Sequence, residues 1–89
     1  MIQAHIFYSG TVQGVGFRYT ARNYAVRLGL TGWVKNLPDG NVEIFVQGKK
    51  EVIEELLAKL GKHFEGFIKD RHVDFVDAHH HLKSFEIAH

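Results

Sequence analysis

Two amphipathic helical segments, each set between apolar strand-like segments, constrain the fold more than any other feature of the sequence. In the first segment, apolar residues from Phe17 to Leu28 recur at spacings of three and four, and Gly29 follows them. In the second, an apolar stripe runs from Val52 to Leu60, with glutamates and lysines at the positions between. A helix with one apolar stripe must bury that stripe against another element. Both helices are therefore expected to cover one side of a sheet.

The strand-like segments precede, separate and follow these helices in a definite order. They are β-prone or alternating in hydrophobicity and lie at residues 4–9, 30–37, 42–47, 72–78 and 84–88. The segment Pro38-Asp39-Gly40-Asn41 has the composition of a turn, which joins the second and third strands as a hairpin. Residues 61–69 are predicted to form an irregular connection.

The order strand, helix, strand, strand, helix, strand permits few topologies when crossovers are right-handed. The ferredoxin-like βαββαβ sandwich is the natural one. We therefore predict an α+β fold with two helices on one face of a mixed, mainly antiparallel sheet and a short extra C-terminal strand. A length of 89 residues is typical of one domain, so residues 1–89 are expected to form a single unit.

The amino-acid composition argues against several classes of function, among them thiol chemistry and nucleic-acid binding. The 45% of hydrophobic and 24% of charged residues are typical of a globular domain. The absence of cysteine excludes disulfides and thiolate chemistry. A formal net charge of +1 argues against a nucleic-acid partner, which usually selects a larger basic excess. No apolar run is long enough to span a membrane and no signal peptide is visible, so we expect a cytoplasmic protein, monomeric by default.

The segment Gly10–Gly16 (GTVQGVG) carries the strongest chemical signal. It contains three glycines in seven positions and leads into the first turn of the first helix. Unpaired N–H groups at a helix N-terminus, together with the helix dipole, favour bound anions. Arg18 lies in that first turn, where its guanidinium can bind a phosphate bidentately. The pattern matches neither the Walker A motif nor the dinucleotide-binding fingerprint, so it predicts a cradle for a small oxyanion. A tight strand-to-helix turn with an incidental arginine is the alternative.

Asn36 is the second candidate site residue. It lies near the end of the second strand, just before the turn. A neutral amide can both donate and accept, so it could hold a water molecule against a bound phosphate. Whether Asn36 lies beside the glycine-rich loop depends on the strand register, and an asparagine that only starts the turn is the alternative.

Taken together, these two segments resemble the acylphosphatase family. Residues 10–18 (GTVQGVGFR) resemble its phosphate-binding signature, and residues 32–36 (GWVKN) resemble its second signature. Gly40, Val42 and Gly48 continue the second signature at matching spacing, and the clear resemblance covers about residues 4–60. The resemblance implies a ferredoxin-like fold. It also implies hydrolysis of small acyl phosphates to a carboxylate and inorganic phosphate, with no metal and no other cofactor.

The resemblance also assigns roles to individual residues. Arg18 matches the family's substrate-binding catalytic arginine, and Asn36 matches the asparagine that orients the attacking water. In-line attack of that water on the bound phosphoryl group is expected. The phosphate would be held by the backbone N–H groups of Gln13, Gly14, Val15, Gly16, Phe17 and Arg18.

Two other functions share this element order. One is a non-catalytic acylphosphatase-like module that binds phosphate or carbamoyl phosphate for a larger enzyme. Hydrogenase-maturation carbamoyltransferases carry such a domain, and the short chain favours a stand-alone enzyme instead. The other is an RNA-recognition module, but residues 42–47 (VEIFVQ) lack the stacking aromatic pattern that such modules need.

The seven histidines include a run of three, His79-His80-His81. On an extended chain His79, His81 and Asp77 would face the same side and could hold Zn²⁺ or Ni²⁺. A solvated loop at a strand end is the simpler interpretation. We therefore expect neither a metal site nor a catalytic histidine, while the register of the last strand stays open.

Overall fold

The computed structural model describes residues 1–89 and contains five strands and two helices. Along the chain they are β1 (Ile2–Gly10), α1 (Phe17–Arg27), β2 (Thr31–Asn36), β3 (Val42–Gly48), α2 (Lys50–His63), β4 (Ile68–Asp77) and β5 (Phe85–Ala88). The strands form one sheet in the spatial order β4-β1-β3-β2-β5, in which only β2 and β5 pair in parallel. The predicted ferredoxin-like arrangement, with both helices on one face and a short extra C-terminal strand, is confirmed. Neither helix is long and apolar enough to cross a membrane.

The core lies between the sheet and the two helices. Alternate residues of β1, namely Ala4, Ile6 and Tyr8, are fully buried on the helix side of the sheet. The apolar stripe of α2 from Ile53 to Leu60 is buried opposite them, as its helical periodicity predicts. Each aliphatic side chain of this size contributes about 1.5–3 kcal/mol when it is fully buried. This packing fixes the direction in which each helix meets the sheet.

One predicted connection is shorter than expected. The sequence predicted a loose segment over residues 61–69, but α2 continues to His63 and β4 begins at Ile68. The glycine at position 61 does not end the helix, because Phe64 beyond it is buried against Phe17 of α1 and keeps the last turn in place. β4 begins early because β1 continues to pair with it as far as Gly10, opposite Ile68.

The pairing of β3 decides where the two candidate site segments lie. β3 pairs antiparallel with β1 on one side and with β2 on the other, so β1 and β2 run in the same direction. Val42 is the register partner of both Tyr8 and Asn36. Since neighbouring strands lie about 4.8 Å apart, Asn36 is only two strand spacings from the end of β1. The loop that follows β1 and the residue that ends β2 therefore share one edge of the sheet.

The start of that loop is hydrogen-bonded to the segment that enters β4, the strand that neighbours β1 on the side away from β3. The Thr11 N–H donates to the Phe67 carbonyl oxygen over 2.8 Å. Gly10 has a φ of 118°, and a Cβ at this position would lie 2.3 Å from the same carbonyl oxygen. Only glycine allows the chain entering β4 to approach so closely.

We expect Gly32→Ala to lower the free energy of unfolding by about 3 kcal/mol. Gly32 in β2 has a φ of 142°, and an added Cβ would lie 1.9 Å from the Phe45 carbonyl oxygen of β3. That oxygen belongs to the paired backbone and cannot move aside without breaking the sheet. Urea unfolding followed by circular dichroism measures the change.

The matched control is Gly61→Ala in α2, where an added Cβ meets no atom within 4 Å and φ is not positive. We expect this variant to be more stable by up to about 1 kcal/mol, because alanine has the higher helix propensity. Equal effects at the two positions would contradict the account of the β2–β3 approach.

Candidate active site

The loop of residues 11–16 ends in a backbone conformation suited to anions. Gly14 and Gly16 both adopt positive φ, 78° and 81°, and Gly16 is the N-cap residue of α1. Left-handed residues at alternate positions are typical of backbone nests, in which successive N–H groups converge on one concavity. An added Cβ at either glycine would meet no atom within 4 Å, so the positive φ, not crowding, selects glycine here.

The N–H groups at this end of α1 are left unpaired by the protein. Those of residues 13–18 donate no hydrogen bond to another backbone group, and the first helical bond is from the Thr20 N–H to the Gly16 carbonyl oxygen, 3.1 Å. No side chain caps the helix and no acidic residue lies in its first turn. The positive end of the helix dipole is therefore not neutralised from within the chain.

Arg18 and Asn36 lie on the same cleft. This cleft has a volume of about 240 Å³. Its lining residues are Val12, Gly14, Gly16, Phe17, Arg18, Tyr19 and Asn36. The strand register thus brings the arginine of α1 and the asparagine of β2 together, which the sequence left open. Of the predicted phosphate-binding positions, Gln13 and Val15 do not line the cleft, although the N–H group of each is unpaired.

The Gln13 side chain has a structural contact that sequence reasoning missed. Its amide nitrogen donates to the carbonyl oxygens of Leu37 and Asn41, over 2.8 and 2.9 Å. The Leu37 N–H also donates to the Asn41 carbonyl oxygen, which closes the turn between β2 and β3. Gln13 therefore ties the glycine-rich loop to the residue that directly follows Asn36. A glutamine among glycines is the only sequence signal of this contact.

Asn36 carries an unsatisfied acceptor. Its Oδ1 atom is buried and has no hydrogen-bond partner. Burying such an oxygen without a donor costs about 1–3 kcal/mol, so native structures rarely keep one without a role. The residue that carries this acceptor is one of those that line the cleft.

Aromatic packing holds the first turn of α1 from behind. The Phe17 ring lies between the rings of Tyr8 and Phe64, with centroid separations of 4.9 and 4.6 Å. All three residues are buried. Burial raises the pKa of Tyr8 to about 12, an effect that the Arg71 guanidinium only partly opposes, so Tyr8 is a neutral core residue at physiological pH. This packing fixes Phe17 at the start of α1, next to Arg18 in the chain.

The histidine run lies in the segment between β4 and β5 and is exposed. Its backbone is fastened to β3, because the buried Gln47 side chain donates to the His80 carbonyl oxygen and accepts from the Leu82 N–H. No three histidine, cysteine, aspartate or glutamate side chains come close enough together to hold a metal ion. Asp77, His79 and His81, which an extended chain would place on one side, do not form such a group.

The sequence and the fold are similar to those of known proteins. The Acylphosphatase family model matches residues 4–87. The acylphosphatase of Trichormus variabilis is 53% identical over 57 residues, which cover 64% of this chain and 56% of that protein. The match thus spans little more than half the length of that curated relative.

Two solved structures share the whole fold. The crystal structure of acylphosphatase from Bacillus subtilis superimposes with a TM-score of 0.93 at 33% identity and covers 100% of both chains. The structure of HypF from T. kodakarensis matches with a TM-score of 0.84 at 32% identity, over 100% of this chain but 12% of that one. With a family model that covers nearly the whole sequence and a matching fold, this chain belongs to the acylphosphatase family.

Proposed function

We propose that this protein hydrolyses the carboxyl–phosphate anhydride bond of small acyl phosphates, releasing a carboxylate and inorganic phosphate. The observation that carries the proposal is the cleft itself, in which Arg18 and Asn36 meet an unpaired row of backbone N–H groups. Family membership supports the same activity. The expectations of a single domain, a cytoplasmic location, a monomer and no nucleic-acid partner stay predictions.

The phosphoryl group of the substrate binds at the N-terminus of α1. The N–H groups of residues 13–18 donate to its oxygens, and the Arg18 guanidinium pairs with two of them bidentately. Phosphoryl transfer spreads charge over the equatorial oxygens. Donors that are already fixed in place stabilise that charge without reorganising, so they lower the barrier more than they strengthen substrate binding.

The leaving group explains why the cleft contains no acid. A carboxylate is a weak base and departs from phosphorus without a proton, so no general acid is needed. The cleft accordingly has Arg18 as its one charged lining residue. The proposed reaction needs no metal, because the guanidinium and the N–H groups supply the positive charge that a metal ion would otherwise supply.

Asn36 positions the water. Its unpaired Oδ1 accepts a hydrogen bond from the attacking water, and a phosphoryl oxygen of the substrate takes the proton as the bond to phosphorus forms. The anhydride bond breaks on the opposite side, and its electron pair leaves with the carboxylate. Holding the water in this position converts a bimolecular attack into an effectively unimolecular one.

Gln13 couples the two halves of the site. Its two hydrogen bonds hold the phosphate-binding loop at a fixed distance from the end of β2, which carries Asn36. Because a misplacement of about 1 Å can cost roughly 100-fold in rate, this tie acts on turnover although Gln13 does not line the cleft.

A second candidate is a module that binds phosphate or carbamoyl phosphate within a larger assembly. It is favoured by the likeness to HypF, in which the matching region makes up 12% of the chain. Turnover by the isolated protein distinguishes the two: a binding module would take up inorganic phosphate and hydrolyse no acyl phosphate.

We expect Arg18→Ala to lower kcat/KM for benzoyl phosphate by roughly 100- to 1,000-fold, because the guanidinium contacts the phosphoryl oxygens in the transition state. Loss of ultraviolet absorbance follows the hydrolysis, with EDTA present throughout. Arg22→Ala, one turn further along α1 and exposed, is the matched control and should retain turnover. If folded wild-type protein binds phosphate but does not hydrolyse benzoyl phosphate, the proposed enzymatic activity is wrong and the chain is a phosphate-binding module.

We expect Asn36→Ala to lower kcat by roughly 100-fold with little change in KM, since the side chain acts on the water and not on the phosphate. Steady-state kinetics separate the two constants, and thermal unfolding shows that the fold is kept. Asn23→Ala on the exposed side of α1 is the control. An unchanged kcat for Asn36→Ala would remove its assigned role.

We expect Gln13→Ala to lower the free energy of unfolding by about 1–2 kcal/mol, the value of two hydrogen bonds. It should also weaken binding of inorganic phosphate, measured by calorimetry. Gln13→Glu should weaken phosphate binding more, because a carboxylate would face the carbonyl oxygens of Leu37 and Asn41 and add negative charge beside the loop. Phosphate affinity that is unaltered in both variants would show that the loop holds its shape without Gln13.

A further inference from the structure

Tyr19 stands apart from the other apolar residues of the cleft. Val12 and Phe17 are each 1% exposed and belong to the core, whereas Tyr19 is 64% exposed. Tyr19 is neither a member of the core cluster nor packed against it. Its ring therefore forms part of the cleft's rim and adds nothing to the stability of the core.

The position of this ring in the helix is also unusual. The first turn of a helix ordinarily favours acidic residues, and α1 has none there. An acidic residue at position 19 would compete with a phosphate bound to the adjacent Arg18. A tyrosine places a flat apolar surface at the same point and leaves the positive end of the helix available.

The cleft is small for an organic ligand. Its volume of about 240 Å³ lies below the range of roughly 300–1,000 Å³ that encloses drug-sized molecules. If the phosphoryl group occupies the N–H groups and Arg18, the rest of a substrate must extend over the rim. Asn36 and the glycines offer that part of the substrate little apolar surface, so Tyr19 is the exposed apolar side chain available to it.

We propose that Tyr19 binds the acyl group and gives this site a preference for acyl phosphates with aromatic or bulky apolar acyl groups. The inference rests on the proposed function. Stacking between aromatic rings adds a selectivity of about 2- to 10-fold beyond the simple burial of area. A small acyl group such as acetyl would not reach the ring and would gain nothing from it.

The test is the ratio of kcat/KM for benzoyl phosphate to that for acetyl phosphate. We expect Tyr19→Ala to lower this ratio by about 3- to 10-fold and Tyr19→Phe to preserve it. Val26→Ala is the matched control, since Val26 is 56% exposed on the same helix and lines no cleft with Arg18. An unchanged ratio in Tyr19→Ala, or the same fall in Val26→Ala, overturns the inference.

A binding measurement separates this inference from the proposed reaction. Phenylphosphonate and methylphosphonate cannot be hydrolysed as acyl phosphates, and calorimetry gives the Kd of each. Wild-type protein should bind the phenyl compound more tightly, and Tyr19→Ala should lose that difference. If wild-type protein hydrolyses neither acyl phosphate, the proposed reaction fails while the phosphonate ratio still decides the role of Tyr19. A wild-type protein that does not distinguish the two phosphonates overturns the inference whatever its turnover.

Discussion

The pairing register of β3 is the constraint on which the rest of the structure depends. Because Val42 lies opposite Tyr8 on one side and Asn36 on the other, β1 and β2 end at the same edge of the sheet. The loop after β1 and the asparagine at the end of β2 then meet without any long insertion. A shift of one residue in the β2–β3 pairing would turn Asn36 to the other face of the sheet and separate it from Arg18.

At this edge of the sheet, backbone N–H groups and a side-chain oxygen have no hydrogen-bond partner, while neighbouring contacts hold the backbone in place. The N-terminus of α1 lacks a capping side chain, and the buried oxygen of Asn36 lacks a donor. The missing cap and the missing donor each lower the free energy of unfolding by about 1 kcal/mol or more. Two contacts hold the loop: Gln13, which does not line the cleft, reaches the β2–β3 turn, and Phe17 packs against two core rings. A rigid backbone with unsatisfied donors is what an oxyanion site requires.

The periodicities of the sequence were enough to predict the fold, since each helix has one apolar stripe and the strands alternate. Arg18 could be predicted for a local reason, because a glycine-rich loop and a helix start are adjacent in the chain. The placement of Asn36 depended on a long-range register that no local pattern encodes. The hydrogen bonds of the Gln13 side chain could not be predicted from the sequence, because their acceptors are backbone carbonyl oxygens and every residue has one. The end of α2 was misplaced at Leu60 because the packing of Phe64 on Phe17 joins two distant helices.

The central claim is that a phosphate binds to the backbone at the N-terminus of α1, and amide NMR tests it most directly. Isotope-labelled protein is titrated with inorganic phosphate while the backbone N–H resonances are followed. The account predicts that the amides of residues 13–18 shift together with one saturable Kd. The start of α2 also lacks a capping side chain but has Glu51 in its first turn, and its amides should not shift. Unshifted amides at 13–18, or equal shifts at the two helix starts, would contradict the account.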